Sequence, residues 1–172
     1  MNLTAGHISF SGRKAVGTMD ISHLLILVAW IVQVVSWFLP AFIAQDIGAP
    51  VAGWQAFRLS ACAIWPCEEV QFQTLHHAVL ATLSVITTLF FVLCSPWVVL
   101  RGSRLLRRWS AWVVAAAFIF NTHWIITFGP QRSQLAIGYF LWWLSFLLLA
   151  IGLFVSSRSV VSSNEQLDEP RI

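Results

Sequence analysis

The chemically most reactive part of the sequence is a short stretch with two cysteines followed by two acids. The segment ACAIWPCEE sets Cys62 and Cys67 five positions apart and ends in Glu68 and Glu69. Paired thiols form a disulfide, exchange disulfides with other proteins, or bind a metal ion as thiolates. Which of these applies depends on the compartment, so the side of any membrane on which the stretch lies has to be established first.

Histidines form a second set of candidate ligands. His76 and His77 follow the cysteine stretch closely, and His123 lies in a later apolar segment. Imidazole binds haem iron and divalent metals, so His77 and His123 are candidate cofactor ligands. The candidate metal ligands are His76, His77, His123, Glu68 and Glu69. The alternative is that these histidines are side chains at a membrane interface, hydrogen-bonded to their neighbours.

The composition is that of a membrane protein. Hydrophobic residues make up 58% of the 172 residues and charged residues only 10%, whereas a soluble domain carries roughly 25% charged residues. Four segments without Asp, Glu, Lys or Arg are long enough to span a bilayer as helices, which takes about 20 apolar residues. They are 21–43, 75–100, 109–128 and 135–155. The predicted fold is an all-α, four-helix transmembrane bundle.

The basic residues orient this bundle. With four spans, the N-terminal tail 1–20, the loop between the second and third spans, and the C-terminal tail 156–172 share one side. They hold eight of the ten basic residues, and only Arg58 and Arg132 fall on the other side. The positive-inside rule therefore predicts that both termini are cytoplasmic. The long first loop, 44–74, is then external and, in a bacterial-type inner membrane, faces an oxidising compartment.

This orientation favours a disulfide between Cys62 and Cys67. Residues five apart on a continuous helix do not face each other, but Pro66 bends the chain between them. The preceding segment GWQAFRLSACAIW has apolar residues at helical spacing and is predicted to form an interfacial amphipathic helix. Two unpaired thiols are the alternative. Cys94, near the inner end of the second span, is predicted to be a free, buried thiol.

Each predicted span carries one stripe of small or polar residues, which predicts the face turned into the bundle. The stripes are Ser22, Ala29, Gln33, Ser36 and Pro40; His77, Ala81, Ser84 and Thr88; Ala111, Ala115, Ala116, Ala117, Asn121, Thr122 and His123; and Gly138, Ser145 and Gly152. Because His77 belongs to such a stripe, the pattern predicts that His77, rather than His76, points toward His123.

The topology resembles that of the DsbB-like quinone reductases, which generate disulfides in the bacterial inner membrane. The resemblance rests on four helices with a cysteine pair in the first external loop, and it implies thiol-redox activity. The family's Cys-x-x-Cys pair is replaced here by CAIWPC, and the later external loop, FGPQRSQLAIG, lacks the family's second pair. Electrons would therefore have no relay through this chain.

The remaining residues narrow the function classes. Arginine is dispersed over separate loops, so nucleic-acid binding is not expected. No nucleophile–base–acid set, phosphate loop or intramembrane carboxylate is visible, so catalysis is not expected. The sequence predicts a non-enzymatic accessory, scaffold or partner-binding subunit without a cofactor. Its partners would be the lipid bilayer and a membrane or periplasmic protein, or further copies of itself. The alternatives are a haem- or metal-binding redox component and an oligomeric channel or transporter subunit.

Overall fold

The structure is a computed structural model that describes residues 21–44, 48–65, 67, 74–127 and 129–165, with the backbone alone at 130–132 and 159–165. The N-terminal tail 1–20 lies outside the described residues, as do Glu68 and Glu69. Four helical segments are long and apolar enough to cross a membrane: Ile21–Phe38, Leu75–Arg101, Arg104–Thr127 and Ile137–Arg158. The prediction of a helical protein with four candidate spans is confirmed.

The first span, α1 (Ile21–Phe38), is shorter than the predicted 21–43. Pro40 explains the difference, because proline lacks a backbone N–H and disfavours helical geometry in the residue before it. The chain instead forms an antiparallel hairpin of β1 (Pro40–Ile43) and β2 (Pro50–Ala52). A short helix, α2 (Gly53–Ala61), follows directly.

The hairpin is attached to the bundle by backbone hydrogen bonds. The Gly53 N–H donates to the Leu39 carbonyl at 3.0 Å, and the Ala136 N–H donates to the Ala41 carbonyl at 2.8 Å. Ala136 immediately precedes the last span, so both the first and the fourth spans are joined to the hairpin. We call β1, β2 and α2 together the cap, and the end of the bundle that it covers the cap end.

The second span contains a π-helical turn. It consists of α3 (Leu75–Leu89), the π turn Phe90–Cys94 and α4 (Ser95–Arg101). Pro96 lies just after the turn and has no N–H to donate to the preceding helical turn. A π turn is one of the ways in which a helix accommodates such a missing bond. Ser95 donates from its hydroxyl to the Phe91 carbonyl, which satisfies one acceptor there.

The third span begins earlier than predicted, at Arg104 rather than Trp109. It comprises α5 (Arg104–Asn121) and the short α6 (His123–Thr127). Ser103 caps α5, since its hydroxyl accepts the Leu106 N–H at 3.4 Å, as serine does at helix N-termini. A 3₁₀ segment, Gly129–Gln134, leads to α7 (Ile137–Glu165). Helix α7 continues beyond the predicted end of the fourth span at Val155, into the segment expected to be a tail.

Most members of the predicted stripes of small and polar residues face the bundle interior, but the prediction is wrong for Ala116, which is exposed on α5. The members that are buried are Ser22, Ala29, Gln33, Ser36, Ala81, Ser84, Thr88, Ala111, Ala117, Asn121, Gly138, Ser145 and Gly152. Helix α7 is central, because it packs against both α1 and α5. The core around it contains Phe91, Phe146, Leu149 and Leu153, all almost fully buried.

Candidate functional site: a cavity under the cap

The cysteine pair lies at the end of the cap. Cys62 directly follows α2, and its sulfur is at bonding distance from that of Cys67, with the two Cα atoms 5.3 Å apart. This geometry agrees with the predicted disulfide. Cys94, in the π turn of the second span, is free as predicted, but it is half-buried rather than buried. The pair thus closes a small loop at the C-terminal end of α2.

Protein isolated with its thiols trapped should yield one peptide in which Cys62 is joined to Cys67, with Cys94 alkylated. Mass spectrometry of a non-reducing digest checks this, and finding Cys62 and Cys67 both alkylated would contradict it. Because the closed loop is short, reduction should lower the free energy of unfolding by only about 1–2 kcal/mol.

The histidines lie together at the cap end, but not in the predicted arrangement. The rings of His76 and His123 meet edge to face, with 5.3 Å between their centroids. His77 instead turns to its own helix start, where its Nδ1 lies 3.0 Å from the Thr74 hydroxyl. The prediction that His77 rather than His76 approaches His123 is therefore wrong. The His77 ring is held by a contact with the hydroxyl of Thr74, the residue that caps α3. Helical spacing alone cannot predict such a contact at the start of a helix.

The fit of these histidines to a cofactor differs between haem and a metal ion. Two axial haem ligands must stand on opposite faces of the porphyrin, whereas the rings of His76 and His123 touch each other directly. The arrangement of His76 and His123 does not fit a bis-histidine haem, and the predicted pair of cofactor ligands, His77 and His123, stays a prediction. Among the described residues, no group of three or more His, Cys, Asp or Glu side chains is placed to hold a metal ion. Since Glu68 and Glu69 lie outside those residues, the predicted metal set stays a prediction.

A polar network crosses the membrane-spanning core near the cap end. Asn121, which is fully buried, accepts a hydrogen bond from the Ser84 hydroxyl at 2.8 Å and donates to the Thr87 hydroxyl at 3.3 Å. The Trp124 indole donates to the Ser84 hydroxyl at 2.8 Å. These bonds join α3 to the third span in a region where an unsatisfied polar group would be costly.

Helix α7 contributes two further donors to this region. The Tyr139 hydroxyl donates to the backbone carbonyl of Asn121, the last residue of α5, at 2.7 Å. The Trp142 indole donates to the Thr88 hydroxyl at 3.2 Å. Three spans are thereby held together by side chains whose polar atoms are all paired.

A cavity of about 370 Å³ lies between this network and the cap. The cap contributes Phe57, Leu59 and Ser60 from α2, among others, while the floor is formed by side chains of α3 and α7 such as Val85 and Trp142. Among the described residues, none that lines it is charged. The volume is within the range of about 300–1,000 Å³ that is usual for small-molecule sites, which are also mostly apolar.

Most of the polar side chains that border the cavity already make a hydrogen bond within the protein. Ser84, Thr88, Tyr139, Trp124 and Trp142 all line it, and each is engaged in a hydrogen bond of the network. The wall therefore offers apolar surface, aromatic faces and weakly available hydroxyl oxygens. Such a wall suits a neutral, largely apolar molecule and would penalise a charged one, because burying an unpaired charge costs several kcal/mol or more.

Sequence reasoning missed this cavity for a specific reason. Its floor belongs to the predicted inward stripes, but its roof is α2, whose position depends on the hairpin. The sequence predicts only a long external loop here. In the structure, the antiparallel pairing of β1 with β2 reverses the chain and places α2 against α3. The proline at each of positions 40 and 50 was the available signal, since proline within short extended segments is typical of edge strands. Comparisons with protein-family models, curated proteins and solved structures find no match to the chain.

Proposed function

We propose that this chain is a non-enzymatic membrane protein that holds a neutral, largely apolar molecule of lipid type in the cavity under the cap. The cavity is the observation that carries the proposal. It combines a volume of about 370 Å³ with a wall whose described residues are all uncharged, and a membrane supplies neutral apolar molecules at high concentration. An accessory or partner-binding role in a membrane assembly is compatible with this activity.

The cap gives the cavity its roof. Helix α2 is held at its start by the Gly53 hydrogen bond to Leu39, and along its length it packs against α3. Trp37 and Phe57 stack across the junction of α1 and α2, with ring centroids 5.9 Å apart. A roof supported by both neighbouring spans is preorganised, which reduces the entropic cost of binding.

Photo-crosslinking tests the proposal. The purified chain would be irradiated with a long-chain monoacylglycerol that carries a diazirine, and in parallel with the matching fatty acid, whose carboxylate is charged. The neutral probe should label peptides of α2, α3 and α7 that line the cavity. Labelling spread over the lipid-facing surface, or equal labelling by both probes, would contradict a neutral cavity ligand.

A matched pair of substitutions sharpens this test. Ala56 lines the cavity from α2, so Ala56→Leu should fill part of it and reduce labelling of the cavity peptides several-fold. Ala116 is exposed on the outer face of α5, so Ala116→Leu makes the same chemical change outside the cavity. It should leave the labelling unchanged, whereas equal losses in both variants would point to a non-specific effect.

The proposal includes a location and an orientation. We place the protein in a bacterial-type inner membrane with both termini in the cytoplasm and the cap on the external side. The support is the distribution of basic residues, eight against two, since such residues are retained on the cytoplasmic side. An external cap also puts Cys62 and Cys67 where disulfides persist.

Single cysteines introduced into a cysteine-free variant should reveal this orientation. In intact cells, cysteines replacing Gly6, Ser103 or Ser162 should resist an impermeant thiol reagent, whereas Gly48→Cys should react, because Gly48 alone among these four positions lies in an external loop. Mass-tag labelling on gels measures the outcome. Reaction at Ser103→Cys without reaction at Gly48→Cys would invert the orientation.

A further inference from the structure

The end of the bundle opposite the cap carries a group of five arginines. Arg101 ends α4, Arg104, Arg107 and Arg108 lie in the first turns of α5, and Arg158 lies on α7. We call these five residues the arginine cluster. The positive-inside rule requires only that basic residues be present in the cytoplasmic loops. In this structure two of the five arginines also have defined hydrogen-bond partners on neighbouring helices.

Two members of the cluster are fixed at the junction of three helices. The Arg104 Nε donates to the Ser157 carbonyl at 2.9 Å. The Arg107 guanidinium donates to the Ser156 hydroxyl at 2.9 Å and to the Val99 carbonyl at 3.0 Å. These bonds bring the start of α5 against the ends of α4 and α7.

The other three members border the same junction. Arg101 lies two residues beyond Val99, Arg158 directly follows Ser157, and Arg108 directly follows Arg107. All three side chains are exposed. The hydrogen bonds that fix Arg104 and Arg107 therefore also place the backbone of the other three arginines at the same end of the bundle.

The positive charge there is met only by neutral acceptors in the described part of the chain. The partners of Arg104 and Arg107 are carbonyl and hydroxyl oxygens, and the Arg107 Nε is buried without a hydrogen-bond partner among the described residues. The positive end of the α5 dipole adds to the charge. Guanidinium groups in this arrangement favour a phosphate, which they bind through several charge-assisted hydrogen bonds.

From this placement we infer that the arginine cluster binds the phosphate of an anionic phospholipid headgroup. The cluster stands where the apolar spans end, which is the level of the headgroups in a bilayer. Basic pockets between transmembrane helices bind anionic headgroups in this way, and each basic residue near the surface contributes about fivefold to lipid association. Inorganic phosphate offers the same chemistry without the acyl chains.

Native mass spectrometry of the full chain tests this inference. The protein would be released from micelles that contain equal amounts of phosphatidylglycerol and phosphatidylcholine, and the ratio of the two bound lipids measured. The intact chain should retain phosphatidylglycerol preferentially. Arg101→Gln with Arg108→Gln removes two exposed charges but none of the observed interhelical hydrogen bonds, so this variant should fold and lose the preference by about 25-fold. Arg58→Gln, on the cap, is the matched control and should retain it.

Other outcomes would overturn the inference. Equal retention of the two lipids by the intact chain would do so, as would an unchanged ratio in the double variant. Displacement of phosphatidylglycerol by an equal concentration of inorganic phosphate would assign the site to free phosphate. Neutralising the acids of the C-terminal segment (Glu165→Gln, Asp168→Asn and Glu169→Gln) should leave the ratio unchanged. If phosphatidylglycerol is preferred only in that variant, the carboxylates of the C-terminal segment, rather than a lipid phosphate, bind the arginine cluster in the intact chain.

Discussion

Replacing Gly138 by alanine should lower the free energy of unfolding by about 3 kcal/mol, near the upper end of the usual cost of overpacking. A β-carbon at this position would lie 2.6 Å from the Pro40 carbonyl oxygen and 2.7 Å from that of Leu39. Both atoms belong to the backbone at the start of the cap, so they cannot move aside as a side chain would. Denaturant titration of the purified protein in detergent, followed by tryptophan fluorescence, measures the change.

Gly152 provides the control for this prediction. It lies on the same helix, α7, but the nearest atom to an added β-carbon is a side-chain atom, the Ile26 Cγ1 at 2.8 Å, and the nearest backbone atom, the Ile26 nitrogen, is 3.2 Å away. Ile26 would have to shift, but no backbone atom stands as close as the two carbonyl oxygens that face Gly138. Gly152→Ala should therefore cost measurably less than Gly138→Ala. Equal losses in the two variants would show that the contact with the cap backbone is not what requires Gly138.

Replacing Asn121 by alanine should cost about 2–3 kcal/mol, because it removes two interhelical hydrogen bonds and leaves buried partners unpaired. Its amide accepts from Ser84 and donates to Thr87, and the side chain is fully buried. The Tyr139 bond goes to the Asn121 backbone carbonyl and should survive. The same denaturant titration measures this loss.

Two further variants separate the network from a general packing effect. Thr82 is half-buried on α3, and its hydroxyl donates within its own helix, to the Ala78 carbonyl. Thr82→Val should therefore cost less than about 1 kcal/mol. Combining Ser84→Ala with Asn121→Ala completes a double-mutant cycle. Strictly additive losses in that cycle would argue against the Ser84–Asn121 hydrogen bond.

The spans were predictable because a lipid environment imposes a simple rule on long apolar segments. Errors occurred at the ends, where local backbone chemistry decides. Helix α1 ends early because of Pro40. Helix α5 begins directly after its cap, Ser103, and so includes arginines whose charge predicts a loop. Arg104 and Arg107 can lie at the start of this span because their long side chains reach carbonyl oxygens at the ends of α7 and α4.

The candidate site was predictable only in part. Small and polar stripes identified Ser84, Thr88 and Asn121 as inward-facing, and the structure confirms their burial. The stripe pattern does not report which hydroxyl meets which amide, nor that indoles supply donors, because such pairings depend on how far each helix is rotated and shifted. The prediction that His77 rather than His76 approaches His123 is wrong because the His77 ring contacts the capping residue Thr74, whereas helical spacing places it on the inward face.

The pairing of α1 with α7 has a consequence for how the chain is assembled. The buried Gln33 of α1 accepts the Ser145 hydroxyl of α7 at 2.6 Å, across 112 positions of sequence. At about 5–20 residues per second, Ser145 is synthesised on the order of ten seconds after Gln33. During that interval the first span lacks the partner that its amide requires. The contact between the two ends of the sequence is therefore the last to form, and the first helix to be synthesised is among the last to reach its final neighbours.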